Sequence, residues 1–439
     1  MSVLKFLDCL FGGVVSEKSE RITEIVESSR EGVLSFLGDC IAERSYTGFE
    51  KGQADLLLSF FADRGIAAFR TPRGSVVAMV SPFREELSGT FRENPGPAAF
   101  LEHLALLRER NVRSIAFNAH MDVVSEGDPS SWTMPPFLLS VREGRLFGRG
   151  SCDMKGAMAA MAESMAIADG NRLPLRFGVL GCFVTEEELA EGLAMEEIVG
   201  ELGIVPDMVV LGEPSSNRIS LGQRGKAQFS LSFNGVRAHS SQPERGVNAA
   251  YPAAADILSI DRLNRRELEE FGDDLMKRTT VAVTGMEALP GDASSVVSFA
   301  RVDAIARLAW GETLDSLLAK LAMDDGWRIP DRVSPFVYDR PSYSGVRRDW
   351  TVCHKAWRTP ADSDLAAFAS GAFLEVMGRD PEFIVWPFST DGVTTASRHG
   401  IPTVGIGPGL EEMCHKPDEF VGERDFFDAL RIYVCMISK

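Results

Sequence analysis

Phe177-Gly178-Val179-Leu180-Gly181-Cys182-Phe183-Val184-Thr185-Glu186-Glu187-Glu188 decides how this chain is read. Residues 177–185 form a short apolar run that reads as a buried strand. Three carboxylates then follow without a break. Each raises the cost of ionising its neighbours, so the run is awkward unless something strongly positive sits nearby. A divalent cation is the usual candidate.

Working outward, residues 75–80 and 114–118 are short runs apolar on both faces, as expected for strands inside a helix-covered sheet. Residues 156–169, rich in Ala and Met, predict a helix, and 208–211 another strand. Residues 17–68 carry apolar side chains at helical spacing. Residues 1–15 read as a packing helix, because Asp8 interrupts the apolar run and no cleavage site is evident. This alternation is α/β.

The texture changes after Gly222. Residues 228–233 alternate polar and apolar, the mark of a half-exposed antiparallel strand. A helix over 246–263, strands over 280–284 and 296–308, and a helix over 312–323 follow. Residues 361–377, 402–406 and 425–437 then return to helix, strand and helix. The expected fold is therefore α/β: a helix-covered mixed sheet from residues 1–223 and 336–439. A smaller α+β domain, an antiparallel sheet with helices, is inserted at 224–335.

The chain has 439 residues, 45% hydrophobic and 25% charged, with a formal net charge of −17. That is ordinary for a globular protein of more than one domain. The acidic balance argues against nucleic acid or an anionic membrane as partner. Seven cysteines with no CxxC pair are too sparse for a disulfide framework and point to a reducing cytoplasm. No apolar run approaches the ~20 residues that span a bilayer.

The polar residues at the strand ends carry the chemistry. His120-Met121-Asp122 follows the strand at 114–118, where α/β proteins place their sites. Asp122 is close enough to accept the other ring N–H of His120 or to orient the loop. Asp153 lies in a glycine-bounded loop at the start of the Ala/Met helix, where a carboxylate gains from the helix dipole and could bridge two cations. Glu187 and Glu188, on a strand end, point opposite ways, so one can hold a cation while the other moves a proton. Glu213 closes the strand at 208–211, and His415 follows the glycine-rich run 405–409. Each alone reads as an ordinary N-cap, loop acid or surface histidine. Those residue types are the ligand set of a zinc or manganese hydrolase, and their joint order at strand ends and in glycine-bounded loops is improbable by chance.

That order resembles the co-catalytic metallohydrolase family of acetylornithine deacetylase, succinyl-diaminopimelate desuccinylase, aminoacylase and carboxypeptidase G. The resemblance rests on residues 118–124, 148–156, 185–188, 212–214, 236–243 and 405–419. Residues 187–192, 222–225 and 340–343 are similar to a bacterial branch of selenium-metabolism-linked hydrolases. The family implies two divalent metal ions, zinc with cobalt or manganese as alternatives. His120 and Glu213 would bind one and Glu188 and His415 the other, with Asp153 bridging, followed by a cis peptide bond to Met154. Glu187 would be the general base and Asp122 would support His120. His239 would stabilise the oxyanion, reaching the partner's site in a homodimer formed through the inserted lid and dimerisation domain. Arg307 matches the position that binds the substrate carboxylate, and Arg340, Ser294 and Gly409 complete the expected substrate pocket. Glu419 would support the His415 loop, and Cys152 and Cys414 would be packing residues.

The implied activity is hydrolysis of a C–N amide bond in a small N-acyl amino acid, peptide or related amide. Glu at 213 fits deacylases and carboxypeptidases better than dipeptidases. Three departures stand out: Glu186 replaces the usual Asp, Ser294-Ser295-Val296-Val297 replaces an Asn-Val-Ile-Pro run, and Ile305 replaces an Asp. They leave open an alternative, a catalytically weak metal- and ligand-binding homologue with a regulatory role.

Overall fold

The computed structural model describes residues 16–86 and 95–439. The helix expected at 1–15 lies outside them. The main sheet has nine strands of mixed direction. At its centre run four parallel strands in the order Gly178–Val184, Ser114–His120, Met208–Leu211 and Thr403–Gly405. Every residue of these four is buried, which is why their sequences lack polar alternation. Because they are parallel, their carboxyl ends share one edge. His120, Glu186 and Glu213 all stand at or just beyond it.

Two apolar layers cover the sheet. On one face lie Glu17–Ser28, Arg30–Ala42, Lys51–Asp63, Lys155–Gly170, Asp364–Met377 and Glu423–Ile437. Lys155–Gly170 is buried almost all round. Its Ala and Met side chains let it lie close between the sheet and Glu423–Ile437. The other face is closed by Pro97–Glu109, a helix the sequence reading did not anticipate, with Trp357 and Trp386. A Cβ at Gly405 would fall 1.8 Å from the Trp386 ring, so this strand end needs glycine.

The smaller antiparallel sheet contains Thr280–Leu289, Phe299–Leu308, Gly225–Asn234 and Arg332–Pro335. Cys353–His354 also pairs with Gly225–Asn234, so this sheet draws a strand from beyond residue 335. Alternate residues of the long strands pack against Ala250–Phe271 and Leu314–Ala322 in a core of their own. The mixed main sheet and the smaller α+β unit are the expected fold.

Three local expectations are corrected. The helical pattern of 17–68 ends early, because Gly65 at φ 67° breaks it and Ala67–Arg70 pairs with Val76–Val80. The helix expected at 246–263 runs Ala250–Phe271, because Val247 is held in a bridge to Val236 and Gly272 supplies the stop. Glu187 and Glu188 are not on a strand end. Glu186 takes φ 61°, ending the strand, and Glu187–Ala190 is a short helix. Among the described residues, no helix is long and apolar enough to cross a membrane.

Glu163 sits within the buried Lys155–Gly170 helix, and its Oε1 has no hydrogen-bond partner. Burial pushes its carboxyl up to about 7, and the Arg64 guanidinium 3.9 Å away offsets only part of that. A raised folded-state pKa means stability that is present at low pH and lost as pH rises through about 7. Glu163→Gln should therefore leave stability at pH 5 nearly unchanged and raise it at pH 8 by on the order of 2–3 kcal/mol. Denaturation at the two pH values measures this. An equal effect at both would refute it.

Candidate metal centre

Each functional side chain is delivered by a strand end or by a turn held through main-chain hydrogen bonds. His120 ends its strand, and its Nδ1 lies 2.8 Å from the carbonyl oxygen of Asp122. The Asp122 carboxylate is farther from that ring, at 3.6 Å. It instead accepts the N–H groups of Glu187 and Glu188 at 3.1 and 3.2 Å and the Thr47 hydroxyl at 2.7 Å. The expected support of His120 thus comes from the Asp122 main chain. The Asp122 side chain caps the turn that presents the two glutamates.

Asp153 is likewise held from behind. Glu419 Oε1 accepts the N–H groups of Cys152 and Asp153, both at 2.9 Å, while its other oxygen pairs with buried Arg149. Glu419 therefore supports the Asp153 loop rather than His415 directly. Phe420–Gly422 pairs with Arg145–Phe147, which ties the His415 loop to the Asp153 loop. The peptide bond Asp153–Met154 is cis. Gly409 closes on the same loop, where a Cβ would lie 2.5 Å from the Cys152 carbonyl oxygen. The Cys152 and Cys414 thiols sit 3.8 Å apart.

These supports bring six side chains together. Asp153 stands between two imidazoles, with Oδ1 3.0 Å from His120 Nε2 and Oδ2 3.3 Å from His415 Nε2. Glu188 lies 3.1 Å from His415 Nε2. The ligand atoms of His120, Asp153 and Glu188 fall within 4.8 Å of one another, as do those of His120, Glu187 and Glu213. Four carboxylates thus meet two imidazoles.

The electrostatics record that imbalance. Burial, then the Glu213 charge, pushes Glu187 well above its ordinary value. Burial does the same to Glu213, only partly offset by His120. Burial and then the Asp153 charge raise Glu188. Burial also works to raise Asp153, but hydrogen bonds from His120 and His415 outweigh it and hold this carboxyl below the ordinary range. Hydrogen bonds to Asp153 and Glu188 push His415 up to about 10. Convergent oxygen and imidazole donors with surplus negative charge fit divalent cations.

Other expected site residues lie elsewhere. His239 is exposed, its Nδ1 2.8 Å from the Ser241 hydroxyl. Ser294 and Arg340 are also exposed, and no described contact joins any of the three to the cluster. Arg307 is different. Burial, offset by the Glu191 and then the Glu187 charge, lowers its pKa. No described side chain hydrogen-bonds to its guanidinium, and its Nη1 is buried.

Sequence reasoning missed two supports. Asp391 is buried and accepts the Asn118 amide at 2.8 Å and the Gly192 N–H at 2.7 Å, linking the His120 strand to the Glu187 turn. Its only signal was a Thr-Asp-Gly turn. Glu186 makes a buried ion pair with Arg73 and accepts the Tyr338 hydroxyl at 2.9 Å, so one member of the acidic triplet is structural.

The family model described as Peptidase family M20/M25/M40 matches residues 116–439. The chain belongs to this family. Among curated proteins, the M20 chain is 30% identical over 309 residues to the uncharacterized protein YgeY of Escherichia coli (strain K12), covering 70% of this chain and 76% of YgeY. It is 29% identical over 340 residues to a succinyl-diaminopimelate desuccinylase of Alkalilimnicola ehrlichii, covering 74% and 83%. Among solved structures, the M20 family metallo-carboxypeptidase Sso-CP2 from Sulfolobus solfataricus superposes with a TM-score of 0.67 at 17% identity, covering 92% of this chain and 98% of that one. Human carnosine dipeptidase 1 gives 0.67 at 14% identity, covering 96% and 98%. The M20 chain is thus a metal-dependent hydrolase acting on peptide or amide bonds.

Two outcomes follow from the crowding of acids. Removing metal with a chelator should lower the melting temperature by roughly 5–10 °C, and restoring a divalent cation should recover it. An unchanged melting curve would mean that the cluster binds no cation in solution. Arg73→Met should destabilise the fold by about 3–5 kcal/mol, because it leaves Glu186 buried without its partner.

Proposed function

We propose that this protein is a dinuclear-metal amidohydrolase that cuts the C–N bond of a small N-acyl amino acid, peptide or related amide. The observation that carries this reading is the meeting of Asp153, Glu187, Glu188 and Glu213 with His120 and His415. His120 and Glu213 would hold one cation and Glu188 and His415 the other, with Asp153 serving both. Zinc suits this donor set, and cobalt or manganese would also be accepted. Such ions, when bound, polarise a carbonyl and lower the pKa of water.

The remaining work falls to the chain. Among the described residues no hydrogen bond engages the Glu187 carboxyl, and its N–H is held by Asp122. Its carboxylate takes the proton of the attacking water and delivers it to the departing amine nitrogen. Burial keeps it basic enough to do so. Arg307, with its unpartnered guanidinium, receives a carboxylate of the substrate, which aligns the amide against the cluster. His239 serves the oxyanion from a second subunit. Exposed Val236, Val247, Tyr251 and Leu258 on the inserted unit supply an apolar surface for that dimer. The free cysteines among the described residues fit a cytoplasmic location.

Glu187→Ala should retain fold and metal but lower kcat by about 10²–10⁴-fold, measured on N-acetylated amino acids. Turnover unchanged from the wild type would remove the mechanism. Arg307→Met should act mainly on KM, raising it by roughly 10–100-fold for carboxylate-bearing substrates.

A further inference from the structure

Arg307, Lys226 and His354 stand in one row across three neighbouring strands. Arg307 is paired in register with Lys226, and Lys226 with His354. Directly opposed residues of antiparallel strands share a face. This is the face turned away from the small core, which Ala227, Phe229, Ala304 and Ala306 fill from the other side. Glu191 meets the row from the main unit, three residues beyond Glu188. Its Oε2 accepts the Lys226 ammonium at 2.9 Å, and its Oε1 has no hydrogen-bond partner and lies 3.9 Å from His354 Nε2.

The charges of this row can be assigned one by one. Lys226 and Glu191 form a nearly buried pair, with side chains 14% and 2% exposed. His354 is buried, neither ring nitrogen has a partner, and burial pushes its pKa down to about 4, so it is neutral at pH 7. Among the described residues nothing hydrogen-bonds to the Arg307 guanidinium, which feels Glu191 and Glu187 only through space. Within the row two cations face one carboxylate, and the one without a carboxylate is Arg307; neighbouring Arg224 is turned to the Arg278 and Arg307 carbonyl oxygens and the Thr280 hydroxyl.

We propose that Glu191 sets the charge of the substrate. It occupies Lys226 and leaves Arg307 alone to receive a carboxylate, so the cleft prefers an amide bearing one free carboxylate over an analogue bearing two. The proposal rests on the amidohydrolase reading and adds the substrate's charge class. A second carboxylate in the row would meet the unpartnered oxygen of Glu191 or have to displace it from Lys226. Both disfavour binding, since like charges repel and breaking a buried pair leaves one charge uncompensated.

N-acetyl-L-glutamine and N-acetyl-L-glutamate test this, because they have nearly the same shape and differ by one carboxylate. Turnover is measured on the metal-loaded wild type, and binding on metal-loaded Glu187→Ala with and without Glu191→Gln. The glutamine derivative should bind more tightly to Glu187→Ala. Adding Glu191→Gln should move the affinity ratio toward the glutamate derivative by about tenfold or more, the worth of a new charged hydrogen bond. Lys226→Met alone should weaken both ligands, because Glu191 then turns to Arg307. Combining it with Glu191→Gln should restore the glutamine derivative but not the glutamate one, a rescue that general damage to the fold would not produce. An affinity ratio unchanged within about twofold by Glu191→Gln overturns the proposal even if turnover is intact. A shifted ratio with no turnover of either compound by the wild type leaves this proposal standing and counts against N-acetylated amino acids as the substrate class. Binding of neither compound overturns the proposal.

Discussion

The structure is organised around carboxylates that repel one another at the carboxyl edge of four parallel strands. Asp153 clasped between His120 and His415 is the centre of that arrangement. Its carboxyl is held below the ordinary range although burial opposes it, while burial raises those of Glu187, Glu188 and Glu213. Like charges at this density must be balanced by cations or protons. The chain's answer to that constraint is visible in what surrounds the cluster.

Around it, each acidic turn is anchored by main-chain donors. Asp122 takes the N–H groups of the Glu187–Ala190 turn, and Glu419 takes those of Cys152 and Asp153. Asp391 ties Asn118 to Gly192 across the site. Buried carboxylates used this way are satisfied by fixed dipoles and hold side chains that themselves have few partners. The ion pairs Arg73–Glu186 and Arg149–Glu419 neutralise the acids that are not available for chemistry. An acidic run in this family member is therefore two kinds of residue: Glu186 braces the turn, and Glu187 and Glu188 face the site.

The smaller sheet contributes from the other side. Its apolar face is closed by its own helices, and its polar face presents Lys226, Arg307 and His354 toward Glu191. The strand alternation that marks a half-exposed sheet thus also decides which residues meet the main unit.

Much of this was legible beforehand. Doubly apolar strands, an Ala/Met helix buried all round and the switch to alternation after Gly222 are periodicities, and burial alone writes them into the sequence. The cluster residues His120, Asp153, Glu187, Glu188, Glu213 and His415 were legible because strand ends and glycine-bounded loops mark where a parallel sheet exposes its edge. What tertiary structure decided was partnership. Asp122 caps a turn instead of meeting a ring, Glu419 serves Asp153 instead of His415, and Asp391, Lys226 and Glu191 enter at all, because hydrogen bonds between residues far apart in the chain leave no periodic trace. The positive φ of Glu186, which turns an expected strand end into a helix, likewise came from contacts with Arg73, Glu50 and Tyr338 that no local pattern encodes.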